Sequence, residues 1–595
     1  MDVASFHGVM VVSGALNALA ATVSAAVCLF AVGGAVALDV QDPRVRTFVT
    51  PTRIVWTSEK NKGGFGKQST VTNAEALLLP TRGQIPEKKW GGAAGCSLEN
   101  QGEPASVLLD FGRELHGGLQ IGNLGSRGMK MRVRFGESVG EAMAEYAHKS
   151  AGNDHAIRDW EIAVPHMGVI EVGNTGFRFV RLDLVTTGRV NLETVRAVSL
   201  MRPMPRLGGF KSSDERLNRV WETAARTIHL CCQEFLWDGI KRDRLVWMGD
   251  THPETRAILS VFGAVDVLRD SLDYMASITP TNTWMNGIPN YTLWYLRNMH
   301  DWYMFTGDAA FLRERRVYVS ATIERVLSMV ADDGKSSLSG RVFLDWPTEH
   351  NRPAVVAGTQ ALHAMALDCS ATIAEVVGNA GLAGRCRDGA AKLRTVRPDP
   401  NGAKSAAALL ALGRLRDPRE MFAKVLGKDG HKGVSTFYGY YMLEAMSAAG
   451  EDRRALDTVR DYWGGMLDMG ATSFWEDFNL AWTNNATRLD EMPVPGKKDI
   501  HGDFGEFCYP GYRHSLCHGW SAGPVDWCIR HVLGLEALDA GGRTVRVKPF
   551  LGDLSWAEGA LPTPQGVVRV RHERRPDGTV ATVIDAPSGV KIVRD

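Results

Sequence analysis

Hydrophobic residues follow two different periods along this chain of 595 residues. From Asp39 to about Pro205 they come in short alternating runs. Val107-Leu108-Leu109-Asp110-Phe111-Gly112 and Met131-Arg132-Val133-Arg134-Phe135-Gly136 read as strands stopped by glycine, and Phe177 to Val185 alternates as a half-buried strand does. At Phe210-Lys211-Ser212-Ser213-Asp214 the period changes. Ser213 or Asp214 is placed to cap a helix that carries Leu217, Val220, Trp221, Ala224, Ile228 and Cys231 at helical spacing. Helical patterns then follow without intervening strands, at 254–275, 293–305, 309–331, 358–377, 406–415, 418–426, 438–449, 453–467 and 524–535. After Leu535 alternation returns at Thr544–Val547 and Gly566–Arg571, and twice more between Val580 and Ile592 around a Pro-Ser-Gly turn.

None of these helices is long enough to hold alone, so their apolar stripes must be buried against one another. Antiparallel hairpins curled into an (α/α)6 toroid do this, and they gather the connecting loops at one mouth. A solenoid is the alternative, but the helices show no fixed repeat period. The expectation is a multidomain chain, with an N-terminal β-sandwich at 39–207, the (α/α)6 toroid as catalytic domain at 208–535, and a small C-terminal β-sandwich domain at 536–595.

Residues 1–38 stand apart. Val9 to Leu38 carries no charge and closes on Ala35-Val36-Ala37, a pattern that suits signal-peptidase cleavage, although the residues before it include Asp2 and no Lys or Arg. The run is also long enough to span a bilayer. A signal peptide and an uncleaved N-terminal anchor are both readings of it, and either puts the working domains outside the cytoplasm, periplasmic or secreted.

Charge narrows the partners. With 68 basic and 67 acidic residues, nothing argues for nucleic acid or an anionic membrane surface. No protein partner can be inferred. The nine cysteines are scattered, with Cys231 and Cys232 adjacent in a helical pattern, and no spacing suggests zinc.

The chemistry concentrates in Trp237-Asp238-Gly239-Ile240-Lys241-Arg242-Asp243-Arg244-Leu245-Val246-Trp247-Met248-Gly249-Asp250. Acids, bases and indole rings interleaved in this way suit a sugar pocket. Aromatic faces pack on sugar C–H groups, carboxylates bond hydroxyls, and cations hold the carboxylates in their charge states. A loop of ion pairs between helices is the plainer reading.

This stretch resembles the signature of the α-L-rhamnosidases of glycoside hydrolase family 78, Asp-Cys-Pro-Gln-Arg-Asp-Glu-Arg-Leu-Gly-Trp-Thr-Gly-Asp, but is one residue shorter. With the gap placed early, Asp243 stands where that family keeps its general-acid glutamate. With the gap placed late, that glutamate has no counterpart. Gly470-Ala471-Thr472-Ser473-Phe474-Trp475-Glu476-Asp477-Phe478 resembles the family's general-base motif, and Ser515-Leu516-Cys517-His518-Gly519-Trp520 resembles its sugar-binding histidine motif. Asp110–Leu115, Phe135–Ser138 and Thr175–Arg178 resemble the β module that precedes such catalytic domains, and Gly552–Leu554 with Pro562–Gly566 the tail module.

What the resemblance implies is an exo-acting enzyme on rhamnose-capped oligosaccharides or polysaccharides. Asp243 would be general acid and Glu476 general base of an inverting hydrolysis. The aromatics flanking Glu476 are expected to desolvate it and raise its pKa. Asp238, Arg242, Trp247, Asp250 and His518 would hold the sugar, with Asp345 and Trp346 of a Gly-Asp-Trp-like loop beside them. Trp284 and Trp294 fit either a sugar platform or the core, and Asp490 to Arg513 fits a lid. Two other functions stay open. One is a lyase that removes rhamnose from glucuronate by β-elimination, in which Lys241 or Arg242 would neutralise the uronate. The other is a rhamnose-binding protein without turnover. No metal or other cofactor is called for; acidic loops would suit calcium, but no ligand spacing requires it.

Overall fold

The computed structural model describes residues 41–58, 69–80, 95–125, 127–505 and 509–594. The N-terminal apolar run, read above as signal peptide or anchor, lies outside these residues. Among the described residues no helix is long and apolar enough to cross a membrane.

Nine strands of the N-terminal part join in one hydrogen-bonded sheet. Its centre is the long strand Ala105–Asn123, flanked by Gly168–Leu184 and Gly188–Met201, both antiparallel to it. Alternation buries Leu98, Val107, Leu109, Leu119, Ile121, Val133, Val180 and Leu182 in a core of the sheet's own. Gly112 does not end its strand, as its sequence position suggested. At φ 78° it sits in a bulge between Asp110 and Leu115, and pairing with Gly168–Leu184 resumes beyond it. Arg178 braces this point. Its Nε donates to Asp110 Oδ1 at 2.9 Å and its Nη1 reaches the Gly470 carbonyl of the helical domain at 2.9 Å.

The helices from Glu215 onward form the expected toroid. Asp214, rather than Ser213, caps the first of them, Glu215–Cys231, by accepting the N–H groups of Arg216 and Leu217 at 2.9 and 3.2 Å. The pattern at 254–275 resolves into two helices, Thr251–Val261 and Asp266–Ile278, and that at 309–331 into Ala309–Glu314 and Arg316–Ser328. The helix Ala380–Leu393 was not legible in the sequence, where Gly381, Gly384 and Gly389 dilute its apolar face. The patterns at 418–426, 453–467 and 524–535 all contain a π-helical turn, at Phe422–Leu426, Val459–Trp463 and Cys528–Val532. The longest helix, Arg352–Val376, is buried on nearly every side. Gly358 lets it approach Leu344 closely, since a Cβ there would lie 2.2 Å from Leu344 Cδ1, and this contact fixes the loop that carries Asp345 and Trp346.

The C-terminal part holds two small sheets. One contains Leu535–Ala537, Thr544–Val547 and Lys591–Arg594; the other Trp556–Thr563, Gly566–Arg574 and Val580–Asp585. The second sheet also takes in Gly209–Ser212, the strand just before the first toroid helix, paired antiparallel with Trp556–Thr563. Entry to the toroid and tail of the chain thus share one sheet.

Asp214→Ala removes both cap bonds and the Arg460 Nε contact at 2.6 Å. The expected loss is about 1–2 kcal/mol, read by urea denaturation followed by far-ultraviolet circular dichroism. A change below about 0.3 kcal/mol, within the range of ordinary surface substitutions, contradicts the assignment of this cap.

Candidate active site

Trp237 to Asp250 forms a loop at one end of the toroid, and Asp238 closes it. Its N–H donates to the Leu245 carbonyl at 3.0 Å, and its Oδ1 accepts the Leu245 N–H at 2.9 Å. The tip is tight. Asp243 and Arg244 both sit at φ 54°, a left-handed conformation that costs a side-chain-bearing residue about 1 kcal/mol or more. The turn sends successive side chains different ways. Arg244 leaves the site and donates to the carbonyls of Asn174 and His155 at 3.1 and 2.8 Å.

Lys241 enters the N-terminal domain. Its ammonium lies 3.2 Å from Glu137 and 3.0 Å from Glu141, and donates to the carbonyls of Tyr512 and His514 at 2.6 and 2.9 Å. Glu137, Glu141 and His501 are close enough together to suggest a metal site, but they do not fit one. The ammonium already supplies the cation, and both His501 nitrogens are engaged, with Ser138 Oγ at 2.8 Å and the His514 carbonyl at 2.9 Å. Calcium would need about six to eight oxygen ligands. Lys241 is a strut between domains.

Arg242 turns inward. Its Nη2 donates to both carboxylate oxygens of Glu476, and its Nη1 to Asp243 Oδ1 at 2.9 Å. The guanidinium carbon stands 3.5 Å from the centre of the Tyr509 ring. One buried guanidinium therefore joins the two carboxylates singled out as acid and base. Glu476 is further fixed through its backbone. Its N–H donates to the Ser515 carbonyl at 3.0 Å, and its carbonyl accepts from Thr436 Oγ at 2.6 Å and Trp520 Nε1 at 3.0 Å.

This geometry corrects the expectation for Glu476. Burial pushes its pKa up, but Arg242 and then His518 outweigh it and bring the value from 4.5 down to about 2. The flanking aromatics bury the group without deciding its charge.

His518 faces Asp238, Nε2 to Oδ2 at 3.5 Å. Burial disfavours its imidazolium, yet Asp238 and Glu476 prevail and raise its pKa. Burial raises the pKa of Asp238 as well. Asp250 accepts from Tyr291 Oη at 3.0 Å and is pushed up to about 8 by burial, with Asp238 adding to the shift and His518 opposing it. Asp345 is pushed up to about 7, chiefly by burial; its Oδ2 accepts from Ser435 Oγ at 2.8 Å and its Oδ1 is buried without a partner. Ser435 adjoins Thr436, so Asp345 and Glu476 are held by neighbouring residues of one segment. Trp247 and Trp346 are half-buried, edge-on to Tyr291 at 6.0 Å and to Phe343 at 5.0 Å.

Other candidates fall elsewhere. Trp294 is a core residue, 1% exposed and stacked 4.9 Å from Tyr441. Trp284 lies under Arg325 at 3.7 Å. In the segment 490–513, residues 506–508 lie outside the described residues. The remainder is tied to the N-terminal domain, with Lys149 Nζ 2.7 Å from Asp503. Sequence reasoning missed Tyr509 and His155, whose Nδ1 lies 3.3 Å from Asp243 Oδ1. Both come from segments without hydrophobic period, so only three-dimensional proximity reveals them.

A deep network of carboxylates gripped by a guanidinium thus lies in a helical toroid flanked by two β parts. Residues 205–396 match the family model of the bacterial alpha-L-rhamnosidase 6 hairpin glycosidase domain, and residues 534–593 that of the bacterial alpha-L-rhamnosidase C-terminal domain. The helical part and the tail of the chain are thus similar to the corresponding domains of bacterial alpha-L-rhamnosidases. No curated protein matches its sequence. Among solved structures, the family GH78 rhamnosidase of Bacillus sp. GL1 is similar with a TM-score of 0.71 at 22% identity, covering 88% of this chain and 55% of that one. A Klebsiella oxytoca rhamnosidase with rhamnose bound gives 0.64 at 19%, over 82% and 96%. The Streptomyces avermitilis α-L-rhamnosidase complexed with L-rhamnose gives 0.65 at 17%, over 84% and 50%. This chain therefore spans about half the length of the Bacillus and Streptomyces chains.

Arg242→Gln leaves Glu476 buried without its cation, so its pKa rises. In the unsubstituted protein this carboxylate contributes stability that is present above pH 4.5 and lost as pH falls through about 2. The variant loses that contribution, and the acid limb of its kcat/KM profile moves to higher pH. A profile and an acid-unfolding curve both unchanged contradict the pairing.

Proposed function

We propose that the protein releases terminal α-L-rhamnose from glycans by inverting hydrolysis, with Asp243 as general acid and Glu476 as general base. One observation supports this reading: Arg242 bonds Asp243 through Nη1 and Glu476 through Nη2, so a single guanidinium brings together the carboxylates of the two motifs. An inverting glycosidase holds its acid and base roughly 6.5–9.5 Å apart to admit the attacking water. Asp243 is the more accessible of the pair, its side chain 15% exposed against 4% for Glu476, as suits a group that must reach the leaving oxygen.

Arg242 keeps Glu476 ionised, the state a base requires. A pKa of about 2 also makes it a weak base. Asp250 and Asp345 have pKa values raised to neutrality or above. Such carboxyls both donate to and accept from sugar hydroxyls. Asp345 Oδ1 and His518 Nδ1 are buried polar atoms that a hydroxyl would satisfy. Asp238 orients His518, and Trp247 and Trp346 offer ring surface. The rhamnose in the Klebsiella and Streptomyces structures supports the same sugar here. Export to the periplasm or medium, supported by the Val9–Leu38 run, completes the proposal.

The lyase reading required a free cation for a uronate. Lys241 and Arg242 are both committed to protein carboxylates, which favours hydrolysis. The test offers the purified protein an aryl α-L-rhamnoside and a rhamnose-capped glycan, and follows free rhamnose together with unsaturated-uronate absorbance. Release without absorbance gain is expected, with kcat lowered about 10²- to 10⁴-fold in Asp243→Asn and Glu476→Gln. Absorbance gain with release marks the lyase. Binding of rhamnose without release from either substrate marks the non-catalytic protein.

A further inference from the structure

A cavity of about 510 Å³ opens away from Asp243 and Glu476, neither of which lines it. Helices Thr251–Val261 and Pro289–Thr306 begin beside Asp250 and Tyr291 and reach it with Ser260 and Phe305, and its rim touches the C-terminal β domain at Leu561 and Thr563. His252 and Tyr441 line one side of it, both packed on Trp294. His252 lies 4.6 Å from Trp294 and Trp294 4.9 Å from Tyr441, with His252 Nδ1 and Tyr441 Oη bonded at 2.8 Å.

The wall is rich in charge, and the charges are unevenly matched. Arg256 lies 3.3 Å from Asp526 and 3.6 Å from Asp301. Arg530 is paired with Glu444 at 2.5 Å and with Glu536 at 3.2 Å, and Arg414 with Asp368 at 2.7 Å. The wall's carboxylates have partners to spare. Asp526 also accepts from Ser260 Oγ and Tyr440 Oη at 2.7 and 2.6 Å, and Glu444 also meets His531 at 2.9 Å. Arg297 is the exception. Among the described residues it pairs with no carboxylate; its Nε is bonded to His252 Nε2 at 3.4 Å and its guanidinium carbon stands 5.5 Å from the centre of the Trp294 ring. A guanidinium left over in a partly enclosed, low-dielectric space favours an anion with planar, two-oxygen geometry. Met304, Phe305 and Leu561 give the same cavity an apolar side, and its volume falls within the roughly 300–1,000 Å³ of small-molecule sites.

We propose that this cavity binds a small organic carboxylate with an apolar or ring-shaped body, its carboxylate held by Arg297. The shared chemistry is that of a sugar acid or an aromatic acid. Isothermal titration of the full chain with glucuronate and with benzoate distinguishes the two sources, and inorganic phosphate controls for charge alone. At least one carboxylate is expected to bind, about tenfold or more weakened by Arg297→Gln and also by Met304→Trp, which fills the cavity without altering a charge. Binding should persist in Glu476→Gln. Melting curves of the ligand-free variants confirm that each is folded, and Arg297→Lys retains part of the affinity if Gln proves unstable. Absence of binding by either carboxylate overturns the proposal. So does loss of binding in Glu476→Gln but not Arg297→Gln, or phosphate binding as tightly as the carboxylates.

Discussion

A carboxylate buried beside aromatic rings has two ways to exist, protonated or paired with a cation. In this protein the choice is made by Arg242. Its guanidinium holds both oxygens of Glu476 with one nitrogen and Asp243 with the other. Much of the local structure serves that placement. Asp238 closes the loop on Leu245, two consecutive left-handed residues turn Asp243 back beside Arg242, and Tyr509 supplies a ring against the guanidinium. Neighbouring carboxyls without such a cation, Asp250 and Asp345, drift to neutral or higher pKa values instead. Charged and neutral carboxyls in one site thus follow from which of them meets an arginine.

The residue before Arg242 extends the same logic between domains. Lys241 meets Glu137 and Glu141 of the N-terminal domain; without it Glu137 would be buried with no cation beside it, and Glu141 would keep only Arg158 at 3.9 Å. Adjacent cations thus face opposite ways, one into the β domain and one into the toroid. Arg178 repeats the connection farther out, between Asp110 and the carbonyl of Gly470, six residues before Glu476. The N-terminal domain thereby takes part in positioning both halves of the site, and its His155 reaches Asp243 directly.

The helical period, the Asp214 cap and the return to strands after Leu535 were legible because each is a local pattern. Ala380–Leu393 was hidden by its glycines, and the bulge at Gly112 looked like a strand end because a bulge interrupts alternation in the same way. In the site, the acidic and aromatic motif residues could be picked out by resemblance, but their charge states could not. The sequence beside Glu476 shows only Trp475 and Phe478, whereas the guanidinium that sets its pKa comes from 234 positions earlier. Lys241 illustrates the converse. As a letter in a charged motif it invites a substrate role, and only the approach of Glu137 and Glu141 from another domain assigns it to structure.

The proposed roles of Asp243 as acid and Glu476 as base make a stereochemical claim. Proton NMR of the sugar first released from an aryl α-L-rhamnoside, recorded before mutarotation, tests it directly. The account predicts β-L-rhamnose as the initial product, with the α anomer appearing only as mutarotation proceeds. If α-L-rhamnose appears first, the configuration is retained and inverting hydrolysis by Asp243 and Glu476 is contradicted.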